Sequence, residues 1–213
     1  VGVIPDGAMN TTLSLLSPGI ATAARVSLMT SDGTYALAGA EAVSLDADKL
    51  WSVDIPDAAL TGDVVVMVQA DSPVLAGVST RLSIRGGPDL ASASALAPIY
   101  RIASTTIDAQ VSQATALLMS TTRTDVTVSV RTDGRDPIRT TVTLMPNIVT
   151  RVKLVGSSGA SRLVSIEPAV DGQVMGSVLL QRSSVGMVAS SVEPLNSVRG
   201  YVAVPPVLPD VTR

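Results

Sequence analysis

Six aspartates lie within residues 46–71 and form the densest group of side chains that could ligate a metal. Carboxylate oxygens are the ligands that a hard cation such as Ca²⁺ prefers, so calcium is the ion to consider. The spacing does not follow the D-x-[DN]-x-[DN]-G loop of an EF-hand, and Asp also favours turns. We therefore predict no metal and interpret the six as turn residues, with calcium as the alternative: Asp46, Asp48, Asp54, Asp57, Asp63 and Asp71.

Catalysis by the commonest side chains is excluded by composition. The chain has no His and no Cys, which excludes an imidazole base, a thiolate nucleophile, a disulfide and a zinc site of the usual kind. The glutamates show no spacing of the paired carboxylates that a glycosidase needs; they are Glu41, Glu167 and Glu193. We predict no catalytic residue and no cofactor, and therefore a protein that is not an enzyme.

The only two lysines also lack a catalytic context. Ser–Lys catalysis needs an S-x-x-K motif, but Asp46 and Thr150 stand three residues before Lys49 and Lys153. Lys49 has the same parity as inward-facing residues of its strand, which would suit a buried side-chain crosslink. The favoured interpretation, however, is a lysine at a strand edge whose amine reaches solvent.

The aromatic residues that could contact a ligand are few. Trp51 has the parity of Val53 and Ile55, so we predict that it packs in a core rather than binding a sugar. Tyr35 follows a Ser-Asp-Gly turn and is the better candidate for an exposed aromatic residue.

The charge pattern disfavours nucleic acid as a partner. Residues 1–105 carry 5 basic and 10 acidic groups, and residues 106–213 carry 10 and 8, without a basic run. No stretch is apolar enough for a transmembrane helix, and the N-terminus lacks the pattern of a signal peptide. Because the chain begins at Val1, we expect a secreted protein or one anchored by a segment outside residues 1–213.

The elements that must position these residues are β-strands. Val, Ser and Thr are abundant, whereas Glu and Lys are scarce, and apolar residues alternate between Gly, Pro and Asp turns. Residues 90–104 have a short helix as an alternative. The predicted strands are 11–17, 24–31, 41–46, 49–55, 63–70, 73–84, 93–100, 114–120, 126–132, 139–145, 148–155, 162–168, 173–182 and 187–195.

An internal repeat divides the chain. Residues 13–33 align with residues 115–134, and the matches continue in the same order at an offset that falls from 102 to 96. The aligned pairs include Leu15-Leu16 with Leu117-Leu118, Val26 with Val128, and Val53 with Val152. We predict two tandem immunoglobulin-like β-sandwiches related by internal duplication, over residues 1–104 and 105–213.

The junction between the repeats, residues 101–112, contains no Gly or Pro. A flexible tether would be polar and rich in Gly and Ser, whereas this segment carries Ile102, Ile107 and Val111. We predict an ordered connection with at least one of the three buried between the modules. The Pro-rich ends of the chain are predicted as edge strands or linkers.

Two segments resemble known proteins. The hairpin LSLLSPGIATAARVSL (13–28) resembles bacterial immunoglobulin-like modules. The stretch VVVMVQADSPVLAGVSTRL (64–82) is similar to a strand pair in a family of uncharacterised exported actinobacterial proteins. The second module departs from this pattern, with DGQVMGSVLL (171–180) in place of DSPVLAGVST (71–80). The resemblance implies an extracytoplasmic, envelope-associated β protein without known catalytic residues.

These observations lead to one expected function and two alternatives. We expect a non-enzymatic structural or interaction module of the bacterial cell envelope, whose partner is an unknown protein or a cell-wall glycan. The first alternative is a carbohydrate-binding β-sandwich, although four Trp and Tyr residues in 213 are few for that role. The second is a hydrolase that uses carboxylates.

Overall fold

The structure is a computed structural model and describes residues 2–4, 7–84, 87–94, 98–155, 159–182, 186–191 and 193–194. Alternating apolar residues make nearly all of this chain extended, and one 3₁₀ turn covers Asp57–Ala59. The strands in chain order are β1 Gly2–Ile4, β2 Ala8–Leu16, β3 Thr22–Met29, β4 Thr34–Ala36, β5 Val43–Leu45, β6 Leu50–Ile55, β7 Val64–Ala70, β8 Leu75–Ile84, β9 Gly87–Ser94, β10 Ala103–Ile107, β11 Val111–Ser120, β12 Thr124–Thr132, β13 Ile138–Leu144, β14 Thr150–Lys153, β15 Arg162–Pro168, β16 Val174–Arg182, β17 Gly186–Ser191 and β18 Glu193–Pro194.

The first half of the chain forms two antiparallel sheets. Sheet 1 has the strand order β6-β2-β8-β9, and sheet 2 has the order β1-β7-β3-β4, with β5 also paired to β3. Their facing residues form one buried cluster, which includes Leu13, Leu15, Val26 and Val66. The two sheets therefore make a sandwich around a core of their own.

The second half repeats this arrangement. Sheet 3 has the order β14-β11-β16-β17, and sheet 4 has the order β13-β12-β15-β10-β18. Ala116, Leu118, Val128 and Val164 belong to the buried cluster between them. The second sandwich begins before β10, because Ile99 already belongs to the same buried cluster. The prediction of an all-β, sandwich-type fold is confirmed.

The strand order recurs in the two halves. Sheets 1 and 3 match, as do most strands of sheets 2 and 4, once strands are counted within each half. Val26 pairs with Val68, and Val128 pairs with Ile166, as the aligned repeat requires. The origin of this likeness in a duplication stays a prediction.

One part of the predicted alignment is wrong by a single residue. Leu15 faces the core of the first sandwich, whereas Leu117 faces away from the core of the second. The structural counterpart of Leu15 is Leu118, which pairs with Gly176 as Leu15 pairs with Ala76. A slip of one residue moves a strand residue to the opposite face of the sheet, and adjacent leucines conceal the slip.

The segment after residue 84 was predicted least well. The predicted strand 93–100 and the alternative helix 90–104 are both wrong, because β9 covers Gly87–Ser94 and β10 covers Ala103–Ile107. The backbone of β9 pairs with β8 along its length, and this ladder outweighs the helical propensity of an Ala-rich segment. Among the described residues, no helix has the length and apolarity to cross a membrane.

The chain ends are covered only in part. Gly2–Ile4 forms an edge strand on β7, as predicted for the Pro-rich N-terminal segment. The Pro-rich C-terminal segment lies outside the described residues.

Candidate functional site

The first candidate site is a buried contact between the two sandwiches. The outer faces of sheets 2 and 3 pack against each other through a cluster separate from both cores, here called the module interface. Two half-buried methionines, Met67 and Met175, pack against it. Its buried members are Val3, Met29, Val65, Leu117, Met119, Val149 and Leu179.

The module interface arises because some strands are apolar on both faces. Val64, Val65 and Val66 of β7 are all buried, since one parity faces the first core and the other faces sheet 3. The four residues 116–119 of β11 are buried in the same way. Continuous apolar runs are the signal of strands covered on both sides, and this signal would have identified the interface.

Polar contacts fix the register of the module interface. The backbone N–H of Val149 donates to the carbonyl oxygen of Thr30 at 3.0 Å. The Thr34 hydroxyl donates to the carbonyl oxygen of Asn147 at 2.9 Å. The first sandwich thus holds the loop before β14 with two directional bonds, in addition to the apolar contact.

An ion pair joins the sandwiches beside these bonds. Arg151 Nε lies 2.6 Å from Asp63 Oδ2, and the Asp63 side chain is only 4% exposed. Arg151 is 59% exposed, so the arginine covers the carboxylate while its far end stays hydrated. A buried carboxylate needs such partners because its desolvation is unfavourable.

The predicted junction residues do not take part in this contact. Ile107 and Val111 are buried within the core of the second sandwich, and Ile102 is not among the module interface residues, so the prediction that at least one of the three is buried between the modules is wrong. The physical reason is strand formation, because β10 joins sheet 4 and turns Ala103 and Ile107 inward. Ile102 is half-buried before this strand.

The six aspartates do not converge. Asp48 accepts a bond from the Gly19 N–H at 2.8 Å, Asp54 from the Thr12 hydroxyl at 2.8 Å, and Asp57 from the Asn10 N–H at 3.0 Å. Asp46 pairs with Lys49, Asp63 pairs with Arg151, and the Asp71 N–H donates to the Ala23 carbonyl. Within the described ranges, the structure brings together no three acidic residues that could hold a metal.

The lysines and glutamates are surface residues where their side chains are described. Lys49 Nζ lies 3.0 Å from Asp46 Oδ2 and its side chain is 74% exposed, so the buried crosslink does not fit and the placement agrees with an amine that reaches solvent. Lys153, Glu41 and Glu167 are exposed. The side chain of Glu193 is outside the described part.

The aromatic residues are placed as predicted. Trp51 pairs with Leu15 and packs half-buried against the first core. Tyr35 is 55% exposed and borders a groove of about 360 Å³ between β4 and the 3₁₀ turn. Buried Leu28 and Leu37 help to form the floor of this groove, called the Tyr35 groove. Its other lining residues are Thr30, Asp32, Ala36, Ala38, Pro56, Ala58, Ala59 and Thr61.

The Tyr35 groove is braced by the module interface. Thr30 lines the groove, and its carbonyl is the acceptor for Val149 of the second sandwich. Asp32 is held at the rim, where its N–H donates to the Thr30 hydroxyl at 3.1 Å and its carboxylate accepts from Ser31 at 3.0 Å. The groove therefore presents an aromatic ring, hydroxyls and one carboxylate from a fixed turn.

Comparison with protein families matches residues 1–155, most of the chain, to a family of unknown function (DUF5719). Comparison with curated proteins and with solved structures found no match.

The module interface predicts the effect of a charge placed between the sheets. Leu117→Asp buries an unpaired carboxylate, so we expect a loss of about 4 kcal/mol or more in the free energy of unfolding. We also expect the two sandwiches to unfold separately. Trp51 fluorescence monitors the first sandwich and circular dichroism monitors the whole chain, so the two transitions should not coincide. Thr106→Asp, on the exposed face of sheet 4, is the matched control. Coincident, unshifted transitions in Leu117→Asp would contradict the interface.

The two ion pairs predict losses of stability of different size when the cation is removed. Arg151→Met removes a charged partner from the buried Asp63 and should lower the free energy of unfolding by about 2 kcal/mol. Lys49→Met, in the exposed pair, should change it by less than about 0.5 kcal/mol. Urea denaturation measures both, and adding Asp63→Asn to Arg151→Met should recover part of the loss. Equal changes in the free energy of unfolding for Arg151→Met and Lys49→Met would show that the Arg151–Asp63 pair does not stabilise the fold.

Proposed function

Because the chain belongs to the DUF5719 family, whose function is unknown, we propose its function from its geometry: a non-enzymatic extracytoplasmic module of the bacterial cell envelope. The module acts as a structural or interaction unit in which two sandwiches are held as one body. The observation that carries the proposal is the module interface, which packs sheet 2 against sheet 3 and so joins the two sandwiches. Docked sandwiches present their binding surfaces at a constant spacing, which suits a structural unit better than independent modules do.

The two outermost sheets support this role. Their exposed faces carry hydroxyls that bond across strands, such as Ser14 to Ser52 at 3.0 Å in sheet 1 and Thr127 to Thr141 at 3.1 Å in sheet 4. Thr143 likewise donates to Asp125 at 2.6 Å. Cross-strand pairs of this kind hold side chains in place and stabilise the sheet. The surfaces offered to a partner therefore present ordered hydroxyls, together with charged side chains such as Asp54 in sheet 1 and Arg131 in sheet 4.

The chemistry of the chain also favours a role without catalysis. The sequence has neither His nor Cys, and the aspartates of residues 46–71 serve separate turns and pairs. The extracytoplasmic location and an actinobacterial source are supported by the resemblance of residues 64–82 to a family of exported actinobacterial proteins. An oxidising compartment permits disulfides without requiring them, so a cysteine-free chain is compatible with export.

The Tyr35 groove favours a second candidate function, the binding of a carbohydrate. An exposed aromatic ring next to hydroxyls and a carboxylate is the set of groups that a small saccharide can stack on and bond to. Tyr35 and Asp32 supply these groups on one rim, and Thr61 lines the same groove. A single aromatic ring favours weak binding, so this function is a complement to the structural role.

The location is tested with the full-length gene expressed in its own organism. An epitope tag inserted in the exposed turn at residues 133–136 should be cleaved by protease added to intact cells, because an envelope protein is accessible from outside. A tagged cytoplasmic protein of the same cells is the control. Protection of the tag until the cells are lysed would contradict the proposal.

The carbohydrate function is tested on an array of cell-wall oligosaccharides. If the groove binds a glycan, Tyr35→Ala should abolish the signal because the stacking surface is lost. Tyr100→Ala is the matched control, since Tyr100 is also an exposed tyrosine, at 62%, but lies outside the groove. The absence of binding by the unaltered chain, or equal loss in both variants, would count against this function.

A further inference from the structure

Three leucines lie side by side on the outer face of sheet 1. Leu16 of β2 pairs with Leu50 of β6 on one side and with Leu75 of β8 on the other. Leu50 is 69% exposed and Leu75 is 61% exposed. Leu16 has the parity opposite to the buried Leu13 and Leu15, so all three point away from the first core. These three residues, here called the leucine row, form an apolar strip beside polar or small residues on the part of this face whose side chains are described.

The second sandwich has a structural counterpart of this position. Ser17 and Ser120 are both fully buried; Ser17 directly follows β2, and Ser120 is the last residue of β11. The Asp48 N–H donates to the Ser17 carbonyl at 2.9 Å, and the Asn147 N–H donates to the Ser120 carbonyl at 2.8 Å. Asp48 and Asn147 share a left-handed backbone, with φ of 57° and 59°. The same arrangement of a buried serine bonded to a left-handed residue therefore occurs in both sandwiches. It shows which neighbouring residues of the two sandwiches correspond.

The alignment shows what the counterpart of the leucine row does. Met119 precedes Ser120 as Leu16 precedes Ser17, and Met119 pairs with Met175 as Leu16 pairs with Leu75. The residue that continues the β11–β14 register opposite Met119 is Val149. All three counterparts belong to the module interface: Met119, Val149 and Met175. In the second sandwich, this row is thus a docking surface that packs on a sheet face.

The outer sheet face on which such a row could pack is apolar in the first sandwich, on sheet 2, and largely polar in the second sandwich, on sheet 4. On sheet 2 the receiving residues are Val3, Val65 and Met29, which pair in one line across three strands. The corresponding line on sheet 4 is Thr106, Leu163 and Arg131. Covering Arg131 would desolvate its charge without a partner. A second copy therefore cannot receive the leucine row on sheet 4 in a head-to-tail chain.

We propose that the leucine row is covered by the leucine row of a second copy, in a symmetric dimer that packs sheet 1 on sheet 1. A two-fold interface uses the same patch on both partners, and an apolar row satisfies this condition against itself. The neighbouring row, Ser14, Ser52 and Gly77, is small and uncharged, so these two rows can be covered without burying a charge, and the Asp54 carboxylate lies one row further along β6. This inference goes beyond the proposed function and does not depend on the cellular location.

The size of the patch sets the expected strength. Stable dimers bury on the order of 800 Å² per partner, and a single row with its small neighbours supplies less apolar area than an obligate interface. We therefore expect a weak dimer that dissociates in the micromolar range. The net charge of −3 adds little repulsion at physiological salt.

Sedimentation equilibrium of the whole chain, from about 1 to about 200 µM, tests the proposal. The unaltered chain should show a concentration-dependent dimer, and Leu50→Ser with Leu75→Ser should weaken it at least about tenfold. Ile138→Ser with Val155→Ser is the matched control, because these residues are 49% and 57% exposed elsewhere; this variant should dimerise like the unaltered chain. A chain that is monomeric throughout, or equal weakening by both variants, would overturn the proposal.

A second measurement avoids variants that fail to fold. The sequence has no cysteine, so a single Leu16→Cys substitution places the only thiol at the centre of the row. A two-fold axis through that centre brings the two thiols together, and mild oxidation should give a covalent dimer whose yield rises with concentration. Ile138→Cys should remain monomeric. Similar crosslinking of both variants, or none in Leu16→Cys, would also overturn the proposal.

Discussion

The contact between sheets 2 and 3 is the constraint on which the rest of the arrangement depends. It buries a second face on β7 and β11, so these strands lie between two apolar layers instead of between a core and solvent. Apolar burial is non-directional and would not by itself choose one docked arrangement. The backbone bond from Val149 to Thr30 and the pair of Arg151 with Asp63 supply the direction.

Apolar burial and directional bonds also act together at the Tyr35 groove. The Tyr35 groove lies where the first sandwich is held by the second, because Thr30 both lines the groove and accepts a bond from across the interface. A ligand bound there would contact a turn whose position depends on docking. Ligand binding in this groove would therefore be coupled to docking through one short segment, residues 30–35.

The two sandwiches share a strand order but differ in what their outer faces must do. In each half, one outer face is apolar and the other is polar or mixed. The apolar ones, on sheets 2 and 3, meet inside the molecule, whereas sheet 4 places Arg131 where sheet 2 places Met29. Terminal units of stacked modules need a polar outer face for solubility, and sheet 4 fulfils that role. Sheet 1 keeps a leucine row at the position that serves for docking in sheet 3.

The sequence by itself determined the all-β class and most strand positions, because alternation at a period of two is a local property of the chain. Residues 162–168 were predicted with the same bounds as β15, and the core placement of Trp51 followed from its parity with Val53. What only the tertiary structure decided was which faces are covered. Leu15 and Leu117 look alike in sequence, yet one faces a core and the other faces the module interface. The carboxylates of residues 46–71 are neighbours in sequence but separate in space, because each strand between them carries its turns to opposite ends of the sandwich. Side-chain periodicity is set by neighbouring residues, whereas docking is set by surfaces far apart in the chain, and a reading of single strands does not contain that information.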